Sequence, residues 1–141
     1  MPNAVRHCRL LNDVTVGIVL VSHSAELARG LGEMLAHIAS DQVPIAVAGG
    51  APHGGLGTSV ELVEAAIASA DRGHGVVIIP DLGSAVLTVR TVLAEGRSEG
   101  AILVDAPFVE GAVAAAVTAA SGASVDEVAG AARQARDVAK F

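Results

Sequence analysis

The chain has 141 residues, the size of one compact domain. It is 52% hydrophobic and 17% charged, enough Val, Ile, Leu and Ala to build a core, which excludes a disordered chain. A formal charge of -6 offers DNA or RNA no counterion release, and two Phe without Trp or Tyr leave no platform for stacking bases.

Residues 1–13, "MPNAVRHCRLLND", read as a flexible leader without the apolar core or cleavage site of a signal peptide. Cys8 is the only cysteine, so no internal disulfide forms. No run reaches the roughly 18 consecutive apolar residues of a membrane span, and the expected compartment is the cytoplasm. One domain is expected over residues 14–130, followed by a polar helical tail over 131–141.

The first element is an apolar run from Val14 to Val21, read as a strand. Leu27, Leu31, Met34, Leu35 and Ile38 then recur at helical spacing. A second strand is predicted over Val43–Ala48, and a loop with five glycines, "AGGAPHGGLG", leaves it from Ala48 to Gly57. "TSVE" follows as a capping box, with Thr58 as the cap and Glu61 reaching back, and opens a helix carrying Val63, Ala66, Ile67 and Ala70. Gly75–Ile79 is a third strand, Val86, Val89 and Leu93 mark a third helix, and Ala101–Val104 is a fourth strand. Ser124 and Glu127 in "SVDE" repeat the capping signature for a last helix. Short continuous apolar runs indicate strands buried on both faces, so the pattern predicts an α/β doubly wound, mostly parallel sheet.

In such a sheet every strand-to-helix loop emerges on one edge, and ligands bind where the winding reverses. Four loops meet there: "SHS" at 22–24, the glycine loop at 49–58, "PDLGS" at 80–84 and "DAPFVEG" at 105–111. In the common order 2-1-3-4, His23 and Asp81 face each other across the switch point. A largely neutral imidazole has one nitrogen free as a nucleophile, and a carboxylate on the other ring N–H fixes its tautomer. His23 is therefore the candidate phosphoryl acceptor and Asp81 its orienting partner. Ser22, Ser24, Gly57, Thr58 and Ser84 are the candidate phosphate contacts. The bland reading makes His23 and Asp81 helix caps. The histidines at 7, 23, 37, 53 and 74 show no metal-ligand spacing, and neither metal nor cofactor is expected. A serine hydrolase on Ser22 or Ser24 lacks the G-x-S-x-G elbow, whereas a non-catalytic flavodoxin-like binding module stays open. For a carrier, the lip around His23 should be shallow and ringed by small residues such as Ala25, Gly57, Ser84 and Ala85.

Five stretches, in this order, carry a resemblance: "IVLVSHS" at 18–24, "GLGTS" at 55–59, "PDLGSA" at 80–85, "APFVEG" at 106–111 and "AASGAS" at 119–124. The chain resembles the phosphotransfer subunit of bacterial dihydroxyacetone kinase, which is similar to the IIA domain of mannose-type sugar phosphotransferase systems. The resemblance implies a phosphoenolpyruvate-driven relay. In it the carrier protein HPr phosphorylates the histidine matching His23, which then rephosphorylates ADP held on the nucleotide-binding subunit of the kinase. It further implies a homodimer and a mostly parallel sheet with an antiparallel edge strand. The sugar-specific IIA domain, feeding a permease, is the alternative with the same chemistry.

Overall fold

The computed structural model describes residues 14–96 and 99–141. Among these residues four strands and five α-helices follow in the order β1 Gly17–Ser22, α1 Ala25–Ala39, β2 Ile45–Gly49, α2 Val60–Ala70, β3 Val76–Pro80, α3 Gly83–Ala94, β4 Ala101–Leu103, α4 Phe108–Ala120 and α5 Val125–Gln134. The sheet order is β2-β1-β3-β4 and every pairing is parallel. This is the doubly wound α/β sheet expected from the apolar runs. The antiparallel edge strand implied by the resemblance is absent among the described residues. The expected leader, residues 1–13 with Cys8, lies outside the described residues.

The side chains of β1 divide between two cores. Ile18 and Leu20 pack on one face with Leu31 and Leu35 of α1, Ala112 and Ala116 of α4, and Val128 of α5. Val19 and Val21 pack on the other with Val63 and Ile67 of α2 and Val89 and Val92 of α3. Burial on both faces is what removes polar alternation from this strand.

Strand starts fall two or three residues later than the apolar runs at β1 and β2, because pairing begins only where a neighbour reaches: the Ile18 amide donates to the carbonyl of Pro44, 2.9 Å away. On α1 the apolar positions outnumber the buried ones. Ala28, Leu31, Leu35 and Ala39 enter the core, while Leu27, Met34 and Ile38 remain 40–46% exposed. The cap of α2 is also one residue later than expected: Ser59, not Thr58, accepts from the Leu62 amide. The capping box of Ser124 and Glu127 on α5 is present with both of its hydrogen bonds.

One close approach sets the position of β1. A Cβ on Gly17 would land inside the van der Waals envelope of the Ala70 carbonyl, at the end of α2. Gly17→Ala must push backbone apart, so it should lower stability by roughly 1–3 kcal/mol, read as a reduced urea midpoint at unchanged m-value.

Candidate active site

His23 directly follows β1, the strand between β2 and β3 at which the winding reverses. In register, Ser22 lies beside Gly49 and Val21 beside Pro80, so the residues after these strands share one edge. At Gly49 the start of α1 leaves no room for a side chain: a Cβ there would be 2.7 Å from Ala25 Cα. The Asp81 amide donates to the Val21 carbonyl at 2.9 Å and continues the ladder, aiming the carboxylate at His23.

That carboxylate has four donors. Oδ2 accepts from the Ser22 hydroxyl at 2.8 Å and from the His23 amide at 3.0 Å. Oδ1 accepts from the Leu82 amide at 2.6 Å and lies 3.0 Å from His23 Nδ1. Burial raises the Asp81 pKa, but the hydrogen bonds from Ser22, His23 and Leu82 outweigh it and hold the carboxyl below its ordinary value. An ionised Asp81 makes Nδ1 the protonated nitrogen of a neutral ring and leaves Nε2 with its lone pair. Nε2 meets the hydroxyl of Ser84, on the first turn of α3. The His23 side chain is 24% exposed and that of Asp81 9%, so the imidazole lies at the surface with the carboxylate below it.

The remaining candidates are distributed around this pair. Ser22 is fully buried, and its hydroxyl, which also accepts from the Ser24 amide at 3.0 Å, is committed to Asp81. Ser24 accepts from the Leu27 amide at 3.2 Å and so caps α1. The Gly57 amide donates to the His23 carbonyl at 3.0 Å, and the Gly50 amide to the Ser22 carbonyl at 3.2 Å. The glycine loop is thus tied at both ends to the segment it covers. Thr58 reaches neither His23 nor Asp81; its Oγ1 is 2.6 Å from Oγ1 of Thr88 on α3. Thr88 escaped the sequence reading, although it lies four residues after Ser84 and thus on the same helical face.

The lip differs from the expected ring of small side chains. Ala25 and Ser84 are exposed, but Ala85 is fully buried. Exposed leucines stand on these loops and the helices that follow them: Leu27 on α1 at 46%, Leu56 in the glycine loop at 80%, Leu82 before α3 at 62% and Leu87 on α3 at 64%. A crevice of about 440 Å³ opens beside Asp81, toward Arg90 and Asp105 between α3 and β4; His23 is not among its lining residues. No cluster of His, Cys, Asp or Glu able to hold a metal occurs among the described residues. Nor is any of their helices long and apolar enough to cross a membrane. Glu110, in the first turn of α4, pairs with Lys140 at 3.1 Å.

A partly exposed histidine hydrogen-bonded to a largely buried carboxylate lies at the switch point of this parallel sheet, the edge where α/β domains place their ligands. A family model described as EIIA-man, the PTS system fructose IIA component, matches residues 17–129. The phosphoryl donor subunit DhaM of dihydroxyacetone kinase 2 from Listeria innocua is 39% identical over 105 residues, covering 72% of this chain and 84% of that protein. The DhaM of Escherichia coli K12 is 42% identical over 120 residues, 80% of this chain, and the chain spans about 25% of its length. That of Lactococcus lactis is 31% identical, over 82% of this chain and 91% of its own. The crystal structure of a protein of unknown function superposes with a TM-score of 0.76 at 35% identity, covering 85% of this chain and 94% of that one. The chain belongs to the EIIA-man family of phosphotransferase-system components, among relatives that are DhaM phosphoryl donor subunits.

Proposed function

We propose that the chain is a phosphohistidine carrier, taking a phosphoryl group from phospho-HPr and delivering it to ADP bound on the nucleotide-binding subunit of a dihydroxyacetone kinase. The observation that carries this reading is the partly exposed His23 ring itself, with Nδ1 held 3.0 Å from the Asp81 carboxylate and Nε2 against the hydroxyl of the exposed Ser84.

Nε2 attacks phosphorus in line; an N–P bond forms on His23 as the donor's N–P bond breaks, and the electron pair leaves with the donor imidazole. Positive charge develops on the His23 ring while the proton stays on Nδ1, facing the anionic Asp81. The Ser84 hydroxyl, which meets Nε2 in the free protein, turns to donate to a phosphoryl oxygen. In the second half the β-phosphate oxygen of ADP attacks, the His23 N–P bond breaks and the imidazole regains its lone pair. Such transfers depend on positioning and charge stabilisation more than on covalent assistance. Leu27, Leu56, Leu82 and Leu87 offer apolar area for successive protein partners, which a carrier needs and a small-molecule enzyme does not. A homodimer in the cytoplasm completes the proposal.

The test is reconstitution. Labelled phosphoenolpyruvate, enzyme I and HPr should label the chain on His23, and adding ADP, dihydroxyacetone and the other kinase subunits should move the label to dihydroxyacetone phosphate. Label that stays on the chain there, but passes to a sugar through a permease complex, would make it a sugar-specific IIA component, the activity that the family model's description names.

A further inference from the structure

Two threonine hydroxyls connect the glycine loop to the helix that carries Ser84. Thr88 Oγ1 lies 3.2 Å from the Ser84 carbonyl, to which it can only donate. A hydroxyl has one proton, so the 2.6 Å contact between Thr58 and Thr88 must run the other way, with Thr58 donating and Thr88 accepting. The result is a directed chain: Thr58 hydroxyl to Thr88 hydroxyl to Ser84 carbonyl. At one end, the residue before Thr58 is Gly57, whose amide holds the His23 carbonyl. At the other, the residue whose carbonyl is gripped places its own hydroxyl on His23 Nε2. Both threonines are half-buried, and the contact between their hydroxyls is itself partly shielded from water.

We propose that Thr88 is a positioning residue for transfer at His23, locking the glycine loop and the Ser84 hydroxyl into one arrangement around the imidazole. The inference rests on the reading of His23 as the phosphoryl acceptor. Thr88 does not touch the reacting atoms; it acts through Ser84 and through Thr58 and Gly57. Val matches Thr in shape and lacks the hydroxyl, whereas Ser keeps the hydroxyl.

The experiment compares wild type, Thr88→Val and Thr88→Ser by two readouts, phosphorylation by phospho-HPr and amide hydrogen exchange. Thr88→Val should lower the maximal rate of His23 phosphorylation roughly 10- to 100-fold, the scale of a small misplacement, with half-saturation by phospho-HPr unchanged. Thr88→Ser should restore the rate to within about threefold. In Thr88→Val the Gly57 amide should exchange faster while the β1 and β3 amides keep their wild-type protection. A wild-type rate in Thr88→Val, no recovery in Thr88→Ser, or acceleration of all amides together would overturn the proposal. If Thr88→Val does not fold, Thr58→Val removes only the first link, and unchanged Gly57 exchange there overturns it equally. A wild-type chain that takes no phosphoryl group defeats the functional reading instead, while the exchange data still report on the clamp.

Discussion

His23→Ala should take up no acid-labile phosphate from phospho-HPr, and label transfer to ADP should fall to background. Among the described residues at this edge, no other group is placed to substitute. Ser22 is sealed beneath Asp81, Ser24 is engaged as the cap of α1, and Ser84 has no base other than His23 within hydrogen-bond reach. The loss should be confined to chemistry. The side chain is partly exposed and contributes nothing to either core cluster, so the thermal midpoint should stay within a few degrees of wild type. His23→Gln sharpens the test by keeping polarity without a nucleophilic nitrogen. Retention of acid-labile phosphate by either variant would remove the mechanism, and phosphorus NMR of the phosphorylated wild-type chain should place the group on Nε2.

Asp81→Asn should slow phosphorylation by roughly 10²–10⁴-fold, the range for a group that orients a histidine and balances its charge. An amide cannot satisfy the donors now sharing the carboxylate. If its oxygen takes the Oδ2 position, the NH2 group faces Nδ1 and the Leu82 amide, which favours the tautomer with the proton on Nε2 and blocks the nucleophile. If its oxygen takes the Oδ1 position, the NH2 group confronts the His23 amide. Either arrangement also loses the anion that balances charge on the phosphorylated ring. A rate within about twofold of wild type would reduce Asp81 to a structural role.

The same substitution has a signature in stability. Asp81 is held below its ordinary value of 3.8, so the folded state favours the ionised form. Its contribution is complete above the unfolded value and disappears as pH falls through the lower folded value. The unfolding midpoint of the wild type should therefore fall more steeply below about pH 4 than that of Asp81→Asn. Other carboxyls, Glu61 and Glu127 among them, titrate alike in both proteins and cancel from the comparison.

How much of this was legible beforehand follows from range. Strands β1 and β3 are apolar on both faces and helix α2 repeats its buried side chains at 3.6-residue spacing, both local patterns that show in any single sequence. The end of β1 at His23 is local as well, since the polar triplet interrupts the run where pairing with Gly49 stops. Cap identity is less secure: Thr58 and Ser59 are equally able to cap, and packing of Val63 and Ile67 against β1 and β3 decides which one precedes the first turn.

The amino-acid order alone determined the alternation of strands and helices, and with it the single edge where the loops of His23 and Asp81 meet. Only the tertiary structure decided which hydroxyl serves which partner: Ser84 on Nε2, Ser22 on the carboxylate, and Thr58 on Thr88 rather than at the site. Strand order brings Asp81 to His23 across 58 positions of chain, a separation no periodic pattern spans. A hydroxyl's partner is set by side-chain direction at converging loops, which backbone periodicity does not encode.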